Sequence, residues 1–130
     1  MRTILSTCLV TICVLAFAGR GNAQAPAPAV VVTVDYHALP GKGDALVAAL
    51  RLLLAEVRME PHYLDITVLR DRQNAPDRVL LVERWDDLAY YTGAHGNTPH
   101  LEAFKTSAMS LLAGPPAVTL WPDVQDVGKP

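Results

Sequence analysis

Residues 62 to 85 decide the fold: His62-Tyr63-Leu64-Asp65-Ile66-Thr67-Val68-Leu69-Arg70-Asp71, a polar link, and then Val79-Leu80-Leu81-Val82-Glu83-Arg84-Trp85. Both runs alternate with the period-two rhythm of strands, and the link between them contains Asn74-Ala75-Pro76-Asp77, which is turn chemistry. In the first run Leu64, Ile66 and Val68 share one face, opposite Tyr63, Asp65, Thr67 and Leu69. In the second, Leu81, Glu83 and Trp85 face away from Leu80, Val82 and Arg84.

Upstream, Val30 to His37 is a β-branched strand, broken by Leu39-Pro40-Gly41-Lys42-Gly43. Asp44 is the expected N-cap of a helix whose Leu46, Val47, Leu50, Leu53, Leu54 and Val57 form one apolar stripe before Pro61 stops it. Downstream, Asp86 or Asp87 caps a short helix ending near His95-Gly96. Thr98-Pro99 opens another helix with Thr98 as N-cap, and Leu101, Phe104, Ala108, Leu111 and Leu112 are its buried stripe. Gly114-Pro115-Pro116 ends that helix, and Ala117 to Trp121 makes a fourth strand. The order β-α-β-β-α-β predicts an α+β, ferredoxin-like antiparallel sheet with its helices on one face. The uncovered face also carries apolar residues, so a homodimer is expected.

The N-terminus reads as an export signal. Arg2 precedes an uncharged, mainly apolar run from Ile4 to Ala18, and Gly21-Asn22-Ala23 supplies small residues for cleavage, with Ala16-Phe17-Ala18 as an alternative site. A run of about 15 residues falls short of the roughly 20 that a spanning helix needs. The expected organisation is therefore a signal at 1–23, an extended leader at 24–29, one domain at 30–123 and a polar tail at 124–130. The mature chain would be periplasmic or secreted, with no membrane attachment. Cys8 and Cys13 both fall inside the signal, which leaves no disulfide, thiol nucleophile or thiolate ligand. Losing Arg2 and Arg20 takes the formal charge from −2 to −4, and a mildly acidic chain of scattered charges is a poor nucleic-acid partner.

Polar and aromatic residues concentrate between Glu83 and His100. His95 is the best candidate acid or base, because an unperturbed imidazole titrates near 6.5. Its place beside Gly96 also suits a helix cap, Trp85 suits a core, and Glu83 suits an ion pair. His95 and His100 are five residues apart, off a common helical face, and no metal site is expected.

Several features together resemble the antibiotic biosynthesis monooxygenase family. They are Pro40-Gly41 after the first strand, Arg58-Met59-Glu60-Pro61 closing the first helix, and Glu83-Arg84-Trp85 ending the third strand. His95 lies ten residues beyond that Trp, and Thr98-Pro99-His100 opens the last helix. The likeness runs from about Val31 to Asp123, with one departure at His62-Tyr63, where the family usually has a small pair such as Gly-Cys. It implies a small dimer that oxidises electron-rich aromatics such as quinols, without a cofactor. A deprotonated phenol donates electrons readily, so a base, a dry pocket and fixed orientation suffice. On that footing His95 is the catalytic base or acid and Glu83 orients a histidine or accepts a substrate hydroxyl. Trp85 walls the pocket, Tyr63 and Tyr90 are hydroxyl partners, and His100 lies at the rim. The alternative is a non-catalytic dimer binding a hydrophobic ligand or haem. Haem-degrading relatives use an Asn on the first strand, and the equivalent position here falls near Val34.

Overall fold

The computed structural model describes residues 29–122; the stretches expected as export signal and tail, and nearly all of the expected leader, lie outside the described residues. The elements are β1 (Val30–His37), α1 (Gly43–Val57), β2 (Tyr63–Asp71), β3 (Ala75–Trp85), α2 (Leu88–Thr92), α3 (Pro99–Ala108) and β4 (Ala117–Trp121). Single 3₁₀ turns at His95–Asn97 and Met109–Leu111 flank α3. The strands form one sheet in the order β2-β3-β1-β4, every pair antiparallel. This is the expected ferredoxin-like arrangement. No helix among the described residues is long and apolar enough to cross a membrane.

Alternation along β1 and β3 builds the core. Val30, Val32, Val34 and Tyr36 point to the helices, as do Val79, Leu81, Glu83 and Trp85. Leu46, Leu50, Leu53 and Val57 of α1 and Phe104 and Ala108 of α3 close over them. Each large apolar side chain so buried contributes about 1.5–3 kcal/mol. The reverse face of the sheet presents Thr67, Leu69, Leu80, Val82 and Trp121, with Leu69 and Trp121 exposed.

The structure corrects several local expectations. Asp44 does not cap α1; it lies in the first turn and accepts from Arg70 at 2.6 Å. Asp77 of β3 takes over from a distance in sequence, accepting from the backbone N–H of Gly41 at 3.0 Å and Gly43 at 2.9 Å. Gly41 has φ 77°, and a Cβ on Gly43 would run into the Pro76 carbonyl, so both positions need glycine. The hairpin turn lies earlier than expected, because the Asp71 carboxylate accepts from the backbone of Gln73 and Asn74. β3 therefore begins at Ala75, with Pro76 in an irregularity where its missing N–H does no harm.

A second irregularity, between Tyr63 and Asp65, breaks the strict alternation of β2 and turns Tyr63 onto the helix side against Trp85. Thr98 occupies the N-cap position of α3, but its hydroxyl donates to the His95 carbonyl instead. Asp87 does cap α2, accepting from Tyr90 N–H at 2.9 Å.

Candidate functional site

A cavity of about 690 Å³ opens between the inner face of the sheet and helices α1 and α3. Val34 and Tyr36 from β1 and Leu81 and Glu83 from β3 form its floor. Leu53, Leu54 and Val57 of α1 face Leu101, Phe104 and Ala108 of α3 across it, and Tyr91 and His95 close one end. Its size and mainly apolar lining with a few polar groups match what a small organic ligand needs.

Glu83 reaches this chamber because strand alternation points every second residue of β3 inward. It is only 6% exposed, and its one hydrogen bond among the described residues comes from the Trp85 indole N–H at 3.1 Å. Burial pushes its carboxyl up to about 7; the indole N–H pulls back in part, and the charge on Glu60 adds a little. Glu83 therefore changes between hydrogen-bond donor and anion near neutrality. Burial also raises both cavity phenols, Tyr36 and Tyr91, with the Glu83 charge as the next cause, so each stays protonated.

His95 is placed by the short α2 and the 3₁₀ turn that follows it. Its Nδ1 lies 2.8 Å from Oε2 of Glu60, a residue between α1 and β2. The Tyr90 hydroxyl donates to the same oxygen at 2.9 Å, and His100 Nε2 lies 2.5 Å from Oε1. Burial pushes Glu60 upward, but the hydrogen bonds from His95, His100 and Tyr90 outweigh it and hold the carboxyl below the ordinary range. Tyr91 stacks on the His95 ring at 4.9 Å between centroids, and Trp85 packs on it at 4.7 Å.

The sequence candidates thus separate. His95 and Glu83 both line the cavity. Glu83 does not orient the histidine, because its bond goes to Trp85 while Glu60 holds His95. Trp85, expected as a wall, is fully buried behind His95 and outside the lining. Tyr63 packs edge-on against Trp85 rather than facing the cavity. Tyr90 and His100 also lie outside the lining and instead bind Glu60.

Sequence reasoning missed Glu60, Tyr36 and Tyr91 as site residues. Glu60 carried one usable signal: an acid just past a helix C-terminus, where negative charge is disfavoured, asks for a tertiary partner. At the family departure, His62 adopts φ 69°, which a Gly takes freely, and its Nδ1 is tied to Asp86 at 2.7 Å. Among the described residues, no three His, Cys, Asp or Glu side chains gather as a metal site.

The sequence model of the antibiotic biosynthesis monooxygenase family matches residues 29–107. Among solved structures, a Pseudomonas aeruginosa protein is 25% identical with a TM-score of 0.67, over 78% of this chain and 99% of its own. A Nitrosomonas europaea protein assigned as an antibiotic biosynthesis monooxygenase aligns at TM-score 0.68 and 20% identity, over 77% of this chain and 94% of its own. A Mycobacterium tuberculosis protein aligns at 0.66 and 21%, over 78% and 100%. No curated protein matches the chain significantly.

Proposed function

This chain belongs to the antibiotic biosynthesis monooxygenase family, and from that premise we propose that it oxidises a small electron-rich aromatic, such as a quinol, with molecular oxygen. One observation carries the reading: an apolar chamber closes on an imidazole, His95, beside a carboxyl, Glu83, that titrates at about 7. His95 takes the proton of the substrate hydroxyl, and the resulting phenolate is the electron donor to oxygen. One oxygen atom enters the ring and the other leaves as water. The ring supplies all four electrons, so a quinol becomes a hydroxyquinone. That balance calls for no cofactor. Glu83 and the phenols of Tyr36 and Tyr91 offer hydrogen bonds to the hydroxyl and to the carbonyl that replaces it, and the apolar walls exclude water from the reactive anion.

Oxygen uptake and product mass with a series of quinols test the proposal. Wild type consumes oxygen, and His95→Ala lowers the rate by at least ~100-fold, the usual share of a general base. Equal rates for the two proteins remove His95 from the chemistry. Thermal stabilisation by quinols without oxygen uptake makes the protein a binder. Val34 on the cavity floor, where haem-degrading relatives carry Asn, supports an organic aromatic over haem breakdown.

The same proposal includes a homodimer through the reverse face of the sheet, since Leu69 and Trp121 are exposed there beside Leu80 and Val82. Light scattering after gel filtration checks it. Export to the periplasm or medium belongs to the proposal as well. It predicts a mature N-terminus at Gln24, or at Gly19 if cleavage follows Ala18, readable by intact mass.

A further inference from the structure

We infer that Glu60 is the positioning residue of this site: it holds the His95 ring so that Nδ1 carries the proton and Nε2 is the basic nitrogen presented to the cavity. The inference rests on the reading of His95 as the base.

An ionised carboxylate only accepts hydrogen bonds. Both oxygens of Glu60 are engaged, Oε2 by His95 Nδ1 at 2.8 Å and the Tyr90 hydroxyl at 2.9 Å, and Oε1 by His100 Nε2 at 2.5 Å. A group facing such an oxygen has to be a donor, which places a proton on Nδ1 of His95 and, in the neutral ring, leaves Nε2 bare. Three donors on one side chain that is only 5% exposed keep Glu60 ionised.

The other end of the ring is free to work. Among the described residues no protein group bonds His95 Nε2, and the only buried side-chain N or O atom left without a partner is Arg70 Nε. Nε2 is therefore not sealed in the core, and His95 lines the cavity. Tyr91 and Trp85, packed on the ring, fix its plane while Glu60 fixes which edge points where.

Charge favours the same arrangement. The ionisable groups around His95 are Glu60 and Tyr90 behind it, Glu83 and Tyr91 in the chamber, and His100 and Lys105 on α3. Lys105 is occupied by the Gly96 carbonyl and by Glu102. A proton arriving at Nε2 thus brings the Glu60–His95 pair to net zero rather than leaving a lone buried cation. His100, 22% exposed at its side chain, braces Oε1 from the rim and keeps Oε2 aimed at His95. This gives His100 a supporting place in the machinery rather than a contact with substrate.

The test reads the tautomer directly. In full-length protein carrying nitrogen-15 histidine, NMR near neutral pH should show His95 protonated at Nδ1 and not at Nε2. Glu60→Gln keeps the size of the side chain but can turn an amide N–H toward Nδ1. It should shift His95 toward the Nε2–H form and lower kcat by at least ~100-fold, as loss of an orienting carboxylate does in hydrolase triads, while KM stays nearly constant. An Nε2–H tautomer in the wild type overturns the inference, as does Glu60→Gln keeping both tautomer and rate. The spectrum needs no turnover, so a wild-type protein that consumes no oxygen removes the proposed reaction and leaves the tautomer to decide the role of Glu60.

Discussion

Glu60 and Glu83 are two buried carboxylates near one end of one cavity, and they are held in opposite ways. Glu60 accepts from two imidazoles and a phenol, which together overcome the penalty of burial and keep it charged. Among the described residues Glu83 has a single donor, the Trp85 indole N–H, and burial wins, leaving it half-protonated at about pH 7. The residue type is the same; the number and kind of donors set the charge. In the reaction proposed above, the first would serve as a fixed anion behind the base and the second as a switchable acid beside the substrate.

Their effects on stability have opposite signs. The folded-state pKa of Glu60 is depressed, so its contribution is present above the ordinary Glu value of 4.5 and is lost as pH falls through the lowered pKa. The pKa of Glu83 is raised, so its contribution is full below 4.5 and is lost as pH rises toward and through about 7.

The largest effect should come from Glu60→Leu, which strands three donors. Urea unfolding near neutral pH should show a loss of about 3–5 kcal/mol, as for a buried pair deprived of one partner, and the gap to wild type should shrink in acid. An equal loss at both pH values would mean that Glu60 is not ionised, and the contrast would be gone. Next comes Glu83→Gln, which should leave stability unchanged near pH 4 and raise it by up to about 3 kcal/mol well above pH 7, the worth of the raised pKa. A variant less stable than wild type at alkaline pH would break the assignment. Trp85→Phe removes the one donor to Glu83 among the described residues, so the carboxyl titration followed by carbon-13 NMR should move up by at most ~1 unit, about 1.4 kcal/mol. The smallest change is expected for Tyr90→Phe, roughly 1 kcal/mol for one hydrogen bond. It should raise the Glu60 titration and leave that of Glu83 in place, because Glu60 keeps its charge where Glu83 titrates.

Much of this was legible in the residues. The alternation of Val79 to Trp85 placed Glu83 and Trp85 on the inner face, and the family likeness marked the stretch around His95. The likeness did not say which groups would touch. Trp85 carried a signal for a pocket wall, yet a large ring at the end of an inward-facing row is drawn into the core, and it became the support behind His95. Tyr63 was assigned to the wrong face because a β-irregularity leaves no mark in a period-two count. Asp44 looked like a cap by position, while Asp77, 34 residues beyond the Gly43 it serves, did the work.

The sequence by itself determined the order of elements, the antiparallel hairpin and the apolar faces, because these follow from local periodicity and turn chemistry; the family followed from the likeness of its motifs. Only the tertiary structure decided which carboxylate meets which histidine. Glu60 lies 35 positions before His95 and 40 before His100, and nothing in local spacing brings them together. Their meeting depends on how α1 ends against the loop before α3, and the charge of each acid depends on the donors assembled there. Periodicity is a property of neighbours along the chain; a pKa is a property of neighbours in space.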